Sequence, residues 1–252
     1  MPVGSRLGRF YRHTTCGIQR ATSRSLMSEI VEPPLVSNVI ERPCTVVLLE
    51  DKGIYPASWR DELQDQIPAN YGMSFGYISE LDQLSTFKQR VNDLIDLATI
   101  TDAVLVARGP LASWSAQLYL ESLPVQGLVM MDPILFDRRD DLDVEATEEL
   151  KLSMEQRGLQ SSGDYRQLEA ISQGLETRKL KLEASPVPIL ILQSMGGDVF
   201  AQTASETARR HRHDLGLFGE VQVTDISKEE EDKCKIDEAI QIIDSWIDEN
   251  VL

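Results

Sequence analysis

The chain switches repeatedly between short, continuous apolar runs and longer segments whose apolar residues recur at helical spacing. This alternation limits its fold more than any other feature. Residues 44–49 form the first run, and 73–78, 103–106, 125–131, 187–193 and 220–225 follow. A short apolar run with β-branched residues and no polar alternation suits a strand covered on both faces. The intervening segments read as helices. One is predicted to begin at Ser58, a good N-cap followed by the acidic first turn of Asp61 and Glu62. Residues 86–99 place Phe87, Val91, Leu94 and Ala98 on one face, and the last helix carries Ile236, Ile240, Ile243 and Ile247 as a stripe widened by Ala239 and Trp246. Further helices are expected at about 111–123, through the charged stretch 136–184, and near 202–214. Six strands alternating with helices predict an α/β domain, a mostly parallel six-stranded sheet with helices on both faces.

A length of 252 residues with 42% hydrophobic side chains is enough for one well-cored domain. No apolar run approaches the ~20 residues that a membrane span requires. The formal net charge of −16 argues against a nucleic-acid partner, because phosphate binding needs clustered Lys and Arg. Cys16, Cys44 and Cys234 are widely separated and form no Cys-x-x-Cys pair, so neither a disulfide framework nor a zinc site is expected. A reducing compartment follows. No glycine-rich phosphate loop follows any strand, and no cofactor is expected. The run 137–143 is rich in Asp but lacks the glycine and terminal glutamate of a calcium loop, which leaves it a solvated charged segment.

Charge is distributed unevenly. Residues 1–28 hold Arg6, Arg9, Arg12, Arg20 and Arg24, several Ser and Thr, and no Asp or Glu. That composition is the signature of an organellar transit peptide, pointing to the mitochondrial matrix, with a plastid as the alternative. Residues 29–252 then form the domain, whose acidity favours docking onto a basic protein surface. Partners are expected among the proteins of that organelle, and no small-molecule ligand is named by the residues.

The chemistry-bearing region begins where the strand at 103–106 runs into Ala107, Arg108, Gly109, Pro110 and Leu111 and then into a helix. The next strand ends in Met131-Asp132-Pro133, and the one after it leads to Ser194-Met195-Gly196-Gly197-Asp198. This order resembles the α/β-hydrolase superfamily from its third strand onward, with residues 137–184 in the place of a helical cap insertion. The family's first two antiparallel strands are not evident in residues 29–43. The resemblance puts Gly109 at the nucleophile position of the G-x-S-x-G elbow, where it offers no attacking atom. Pro110 stands where the next backbone N–H normally serves the oxyanion hole, and proline has none. Asp198 matches the acid turn. The family histidine would fall in 226–231, which reads Ile-Ser-Lys-Glu-Glu-Glu. The second oxyanion donor would come from the loop where Glu50-Asp51-Lys52-Gly53 stands, and two carboxylates repel a developing oxyanion unless they lie on the surface. The resemblance therefore implies a degenerate member, catalytically inactive and retained as a binding or interaction module.

Three other features bear on function. Ser194-Met195-Gly196-Gly197 is similar to an intact elbow and makes Ser194 an alternative nucleophile, which would imply a divergent esterase or thioesterase. Leu192 occupies the position where that turn usually demands a small residue, and no histidine follows His213 to complete the order of acid and base. Arg108, Trp114 and Asp51 flank the dead elbow and are candidates for lining a residual pocket. His211 and His213 sit two apart and face different directions on a helix, so they make a basic helix end rather than a metal site.

Overall fold

Strands that are apolar on both faces need cover on both faces, and the chain supplies it from two different sets of helices. The computed structural model describes residues 30–34, 39–51, 57–81, 102–120, 125–133, 187–194, 221–226 and 232–252, together with Ala204 and Ala208. The strands are β1 (Thr45–Asp51), β2 (Ser74–Leu81), β3 (Ala103–Arg108), β4 (Gly127–Met131), β5 (Ile189–Gln193) and β6 (Val221–Asp225). The helices α1 (Arg60–Tyr71), α2 (Pro110–Leu120) and α3 (Asp232–Asn250) accompany them. Among the described residues the sheet runs β2-β1-β3-β4-β5-β6, with every neighbouring pair parallel. Each of the six apolar runs is thus a strand. The expected leader at 1–28, the helices at 86–99 and 136–184 and the cap insertion lie outside the described residues. So does the helix near 202–214, apart from Ala204 and Ala208, which are helical and buried.

The two-residue period of a strand sorts the apolar residues into two cores. Val47 and Leu49 of β1, Leu105 and Ala107 of β3, Leu128 and Met130 of β4, and Ile189 and Ile191 of β5 face α2 through Ala112, Ala116 and Tyr119. The alternate residues Val46, Leu48, Val104, Val106, Val129, Leu190 and Leu192 face Trp59, Leu63 and Ile67 of α1 and the stripe of α3. That stripe is the expected one, with Ile236, Ala239, Ile240, Ile243, Trp246 and Ile247 all buried. Each such aliphatic side chain contributes about 1.5–3 kcal/mol by leaving water. A slip of one residue in any strand would exchange its two faces, so the pairing register is strongly fixed.

Close backbone approaches finish the packing. Gly72 follows α1 with φ +67°, the left-handed conformation that ends a helix at little cost only in glycine. A Cβ there would collide with the carbonyl of Ile40. Gly127 lets β4 approach the indole of Trp246, whose ring atoms would lie 2.8 and 3.1 Å from a Cβ at that position. Before β1, Arg42 pairs with Asp244 and Asp248 and so straps the lead-in segment to α3. Antiparallel pairing is not expected from the sequence before residue 44. The structure nonetheless holds one antiparallel bridge, in which the Val31 and Phe75 backbones exchange hydrogen bonds of 2.8 and 2.9 Å on the outer edge of β2. A single bridge leaves no periodicity in the sequence, which is why it could not be read there.

Among the described residues no helix is long and apolar enough to cross a membrane. Gly127→Ala is expected to cost about 1–3 kcal/mol in urea unfolding, since Trp246 is rigid, 3% exposed and has nowhere to move. Burial also pushes the Cys44 thiol from 9.0 up to about 11, with Asp102 adding to the rise and Arg42 opposing it. The thiol should resist iodoacetamide at pH 8 in the native protein and react once unfolded. Because the folded value is the higher one, the stabilisation is complete below pH 9 and is lost as pH rises toward 11. Cys44→Ala should flatten the fall in stability over that window.

Candidate functional site

In an open parallel sheet, ligands bind beyond the carboxyl ends of the strands, where successive connections leave in opposite directions. The chain passes from β1 outward to β2 and then back across to β3, so that point lies between β1 and β3. The residues ending these two strands are Glu50 and Asp51 on one side and Arg108 and Gly109 on the other. Pairing brings Glu50 directly beside Arg108.

Gly109 turns the chain from β3 into α2 with φ +108°, a conformation that L side chains rarely adopt. The turn is closed by the Gly109 N–H donating to the Met131 carbonyl at 3.2 Å and by its own carbonyl accepting from the Ser113 N–H at 2.9 Å. Pro110 is the first residue of α2, where a missing N–H costs nothing to the helix. Among the free amides of the first turn, that of Ala112 donates to Oδ1 of Asp51 at 2.7 Å. The carboxylate of Asp51 thus caps α2 from another strand, at the positive end of the helix. Its other oxygen, Oδ2, lies 2.6 Å from where a Cβ on residue 109 would stand.

Glu50 and Arg108 form the second part of the site. Nη1 of Arg108 donates to Oε1 of Glu50 at 2.7 Å and to the Ala57 carbonyl at 2.7 Å. The guanidinium also lies over the Trp59 ring, 4.5 Å from its centroid. Glu50 accepts in addition from the Trp59 N–H at 2.9 Å and from the Ser58 hydroxyl at 2.5 Å. The start of α1 follows from this. Trp59 takes the cap position without a side-chain bond, and Ser58, one residue earlier, accepts from the Arg60 N–H at 3.0 Å. Glu50 and Asp51 are 2% and 4% exposed, so a surface location does not relieve the repulsion they would exert on an oxyanion. Arg108, read from the sequence as a pocket candidate, is engaged in the ion pair and the stack.

The third part lies one strand further on. Asp132 follows β4 with φ +47°, a left-handed conformation that Asp tolerates through local hydrogen bonding. Its carboxylate accepts both the Ser194 N–H at 2.9 Å and the Ser194 hydroxyl at 2.5 Å. Ser194 therefore closes a clasp between the ends of β4 and β5. Asp198, His211, His213 and residues 227–231 lie outside the described residues, as does the side chain of Trp114, whose backbone belongs to α2. Among the described residues no group of three or more His, Cys, Asp or Glu is placed to hold a metal ion.

Solved structures with a similar fold include two esterases. A thermophilic esterase from the planctomycete Thermogutta terrifontis aligns with a TM-score of 0.52 and 14% identity, over 87% of this chain and 86% of that one. Carboxyl esterase 2 from the mycorrhizal fungus Tuber melanosporum aligns with a TM-score of 0.51 and 13% identity, over 88% and 82%. The chain has the α/β-hydrolase fold. No protein-family model matches the sequence, and no curated protein matches it. At such identity the likeness carries the fold and not the chemistry.

Within the α/β-hydrolase fold, Gly109, Pro110 and Asp51 meet at one point and Ser194 stands apart with Asp132. Sequence reasoning did not find the roles of Glu50, Trp59 and Asp132. The available signal for the first was two opposite charges, Glu50 and Arg108, each ending a strand at the reversal point. Removing one of a buried pair strands the other, so Glu50→Ala should cost about 3–5 kcal/mol in denaturant unfolding. A Glu50→Met, Arg108→Met double variant should recover most of that loss.

Proposed function

We propose that this chain is a catalytically inactive α/β-hydrolase-like protein that acts as a binding or interaction module, in the mitochondrial matrix or, alternatively, a plastid. The observation that carries this reading is the elbow itself. The chain turns from β3 into α2 with φ +108° at Gly109, where the resemblance puts the nucleophile, with no side chain to attack a substrate and with a proline in the following position. A serine at that point would need a base and donors for the oxyanion. The absence of histidine from 226–231 supports the same reading. The buried carboxylate of Asp51, held against the turn at Gly109, supports it as well. The organellar assignment rests on the Arg-rich, acid-poor composition of residues 1–28. The acidic remainder favours a basic protein surface as partner.

Ser194 is the serine that tests the reading. Its hydroxyl donates to Asp132, an arrangement that fixes a loop and supplies no histidine base. Fluorophosphonate labelling of the purified full chain, with a Ser194→Ala control, is expected to give no adduct in either protein while circular dichroism shows both folded. An adduct lost with Ser194→Ala would replace this reading with a divergent serine esterase or thioesterase. A labelled band retained in that variant would place an activated serine elsewhere and equally overturn it.

A further inference from the structure

The three atoms nearest to a Cβ on residue 109 all belong to a single side chain. They are Oδ2, Cγ and Cβ of Asp51, at 2.6, 2.8 and 3.0 Å. The nearest obstruction is therefore one residue delivered from β1. We propose that Asp51 is a built-in blocking group of the elbow, so that its carboxylate and any side chain at position 109 exclude each other. The proposal rests on the inactive reading and gives it a cause that lies outside the elbow's own five residues.

The carboxylate is held against moving aside. Oδ1 is bonded to the Ala112 N–H at 2.7 Å, at the end of α2 where negative charge is favoured. The side chain is 4% exposed, and Gly109 is buried beneath it. The preceding residue, Glu50, is locked to Arg108, so β1 cannot slide to carry Asp51 away. Contacts below 3.0 Å require something to shift, and the residues just before both, Glu50 and Arg108, are paired across the sheet. The block is also electrostatic. Pro110 leaves the first turn one N–H short, and Asp51 takes up the amide of Ala112 that would otherwise point at an incoming oxygen. Restoring a nucleophile at 109 alone therefore restores neither its space nor its donor.

Exclusion between two side chains appears as coupling in a double-mutant cycle. Urea unfolding of the full chain would be compared for wild type, Gly109→Ser, Asp51→Ala and the double variant. Gly109→Ser is costly in any background because of its positive φ. With Asp51→Ala its effect on the unfolding equilibrium constant should shrink by roughly tenfold. Costs that combine to within about twofold would overturn the block. Should Gly109→Ser fold only together with Asp51→Ala, the exclusion is supported directly. Should neither fold, Asp51→Ala alone decides through sodium formate. A small carboxylate that refills the vacated position should raise the melting temperature of this variant more than that of wild type, relative to sodium chloride of equal ionic strength. An equal rise in both proteins would overturn the proposal. These readouts do not depend on hydrolysis, so fluorophosphonate labelling of wild type would remove the inactive reading without touching the coupling.

Discussion

The buried ion pair between Glu50 and Arg108 joins the carboxyl ends of the two strands at which the sheet reverses direction, and much of the site's geometry depends on it. Two charges at 3% and 5% side-chain exposure carry a desolvation penalty that their mutual attraction alone does not reliably offset. The surrounding bonds supply the rest. Arg108 also donates to the Ala57 carbonyl and stacks on Trp59, while Glu50 accepts from the Trp59 N–H and the Ser58 hydroxyl. The pair therefore does more than close a gap in the sheet. It sets where α1 begins, because both residues ahead of Arg60 are bound to Glu50. It also fixes β1 against β3 so that Asp51, the next residue, arrives over Gly109.

How much of this was legible depended on the range over which each signal acts. The strands were readable because burial on both faces leaves a local trace, a continuous run such as residues 44–49, all of them buried. The stripe of α3 was readable because its spacing alone assigns one face to the core. The turn at Gly109-Pro110 was readable because glycine admits a positive φ and proline suits the first position of a helix. Glu50 and Arg108 lie 58 positions apart, and nothing short of the strand order says that they meet. The same is true of Asp132 and Ser194, 62 apart, which looked like a strand end and a loop serine until β4 and β5 were paired. The bridge at Val31 escaped for the opposite reason, being too short to carry a pattern.

The acidic dipeptide shows what the structure adds to a reading of adjacent residues. Glu50 and Asp51 were read as hostile to an oxyanion, with exposure as the one circumstance that would soften the objection. Both are buried, and they act through different contacts. Glu50 is neutralised by Arg108, whereas Asp51 faces a helix N-terminus. The two neighbours point to opposite faces of β1, as alternation in a strand requires.

The shape of the turn at Gly109 has a physical explanation that needs no catalysis. A nucleophile at a positive φ is strained, and such strain persists where function maintains it. Glycine at φ +108° carries little of it, so the turn is an ordinary strand-to-helix connection. What keeps the connection tight is packing. Ala112 and Ala116 are fully buried small residues that bring α2 close onto β1, β3 and β4, and the bond from Gly109 to Met131 anchors the turn to the neighbouring strand. The space that a nucleophile would fill does not stay empty, because a helix N-terminus beside it favours an anion and β1 ends in one. The same backbone geometry that would expose a serine also seats a carboxylate.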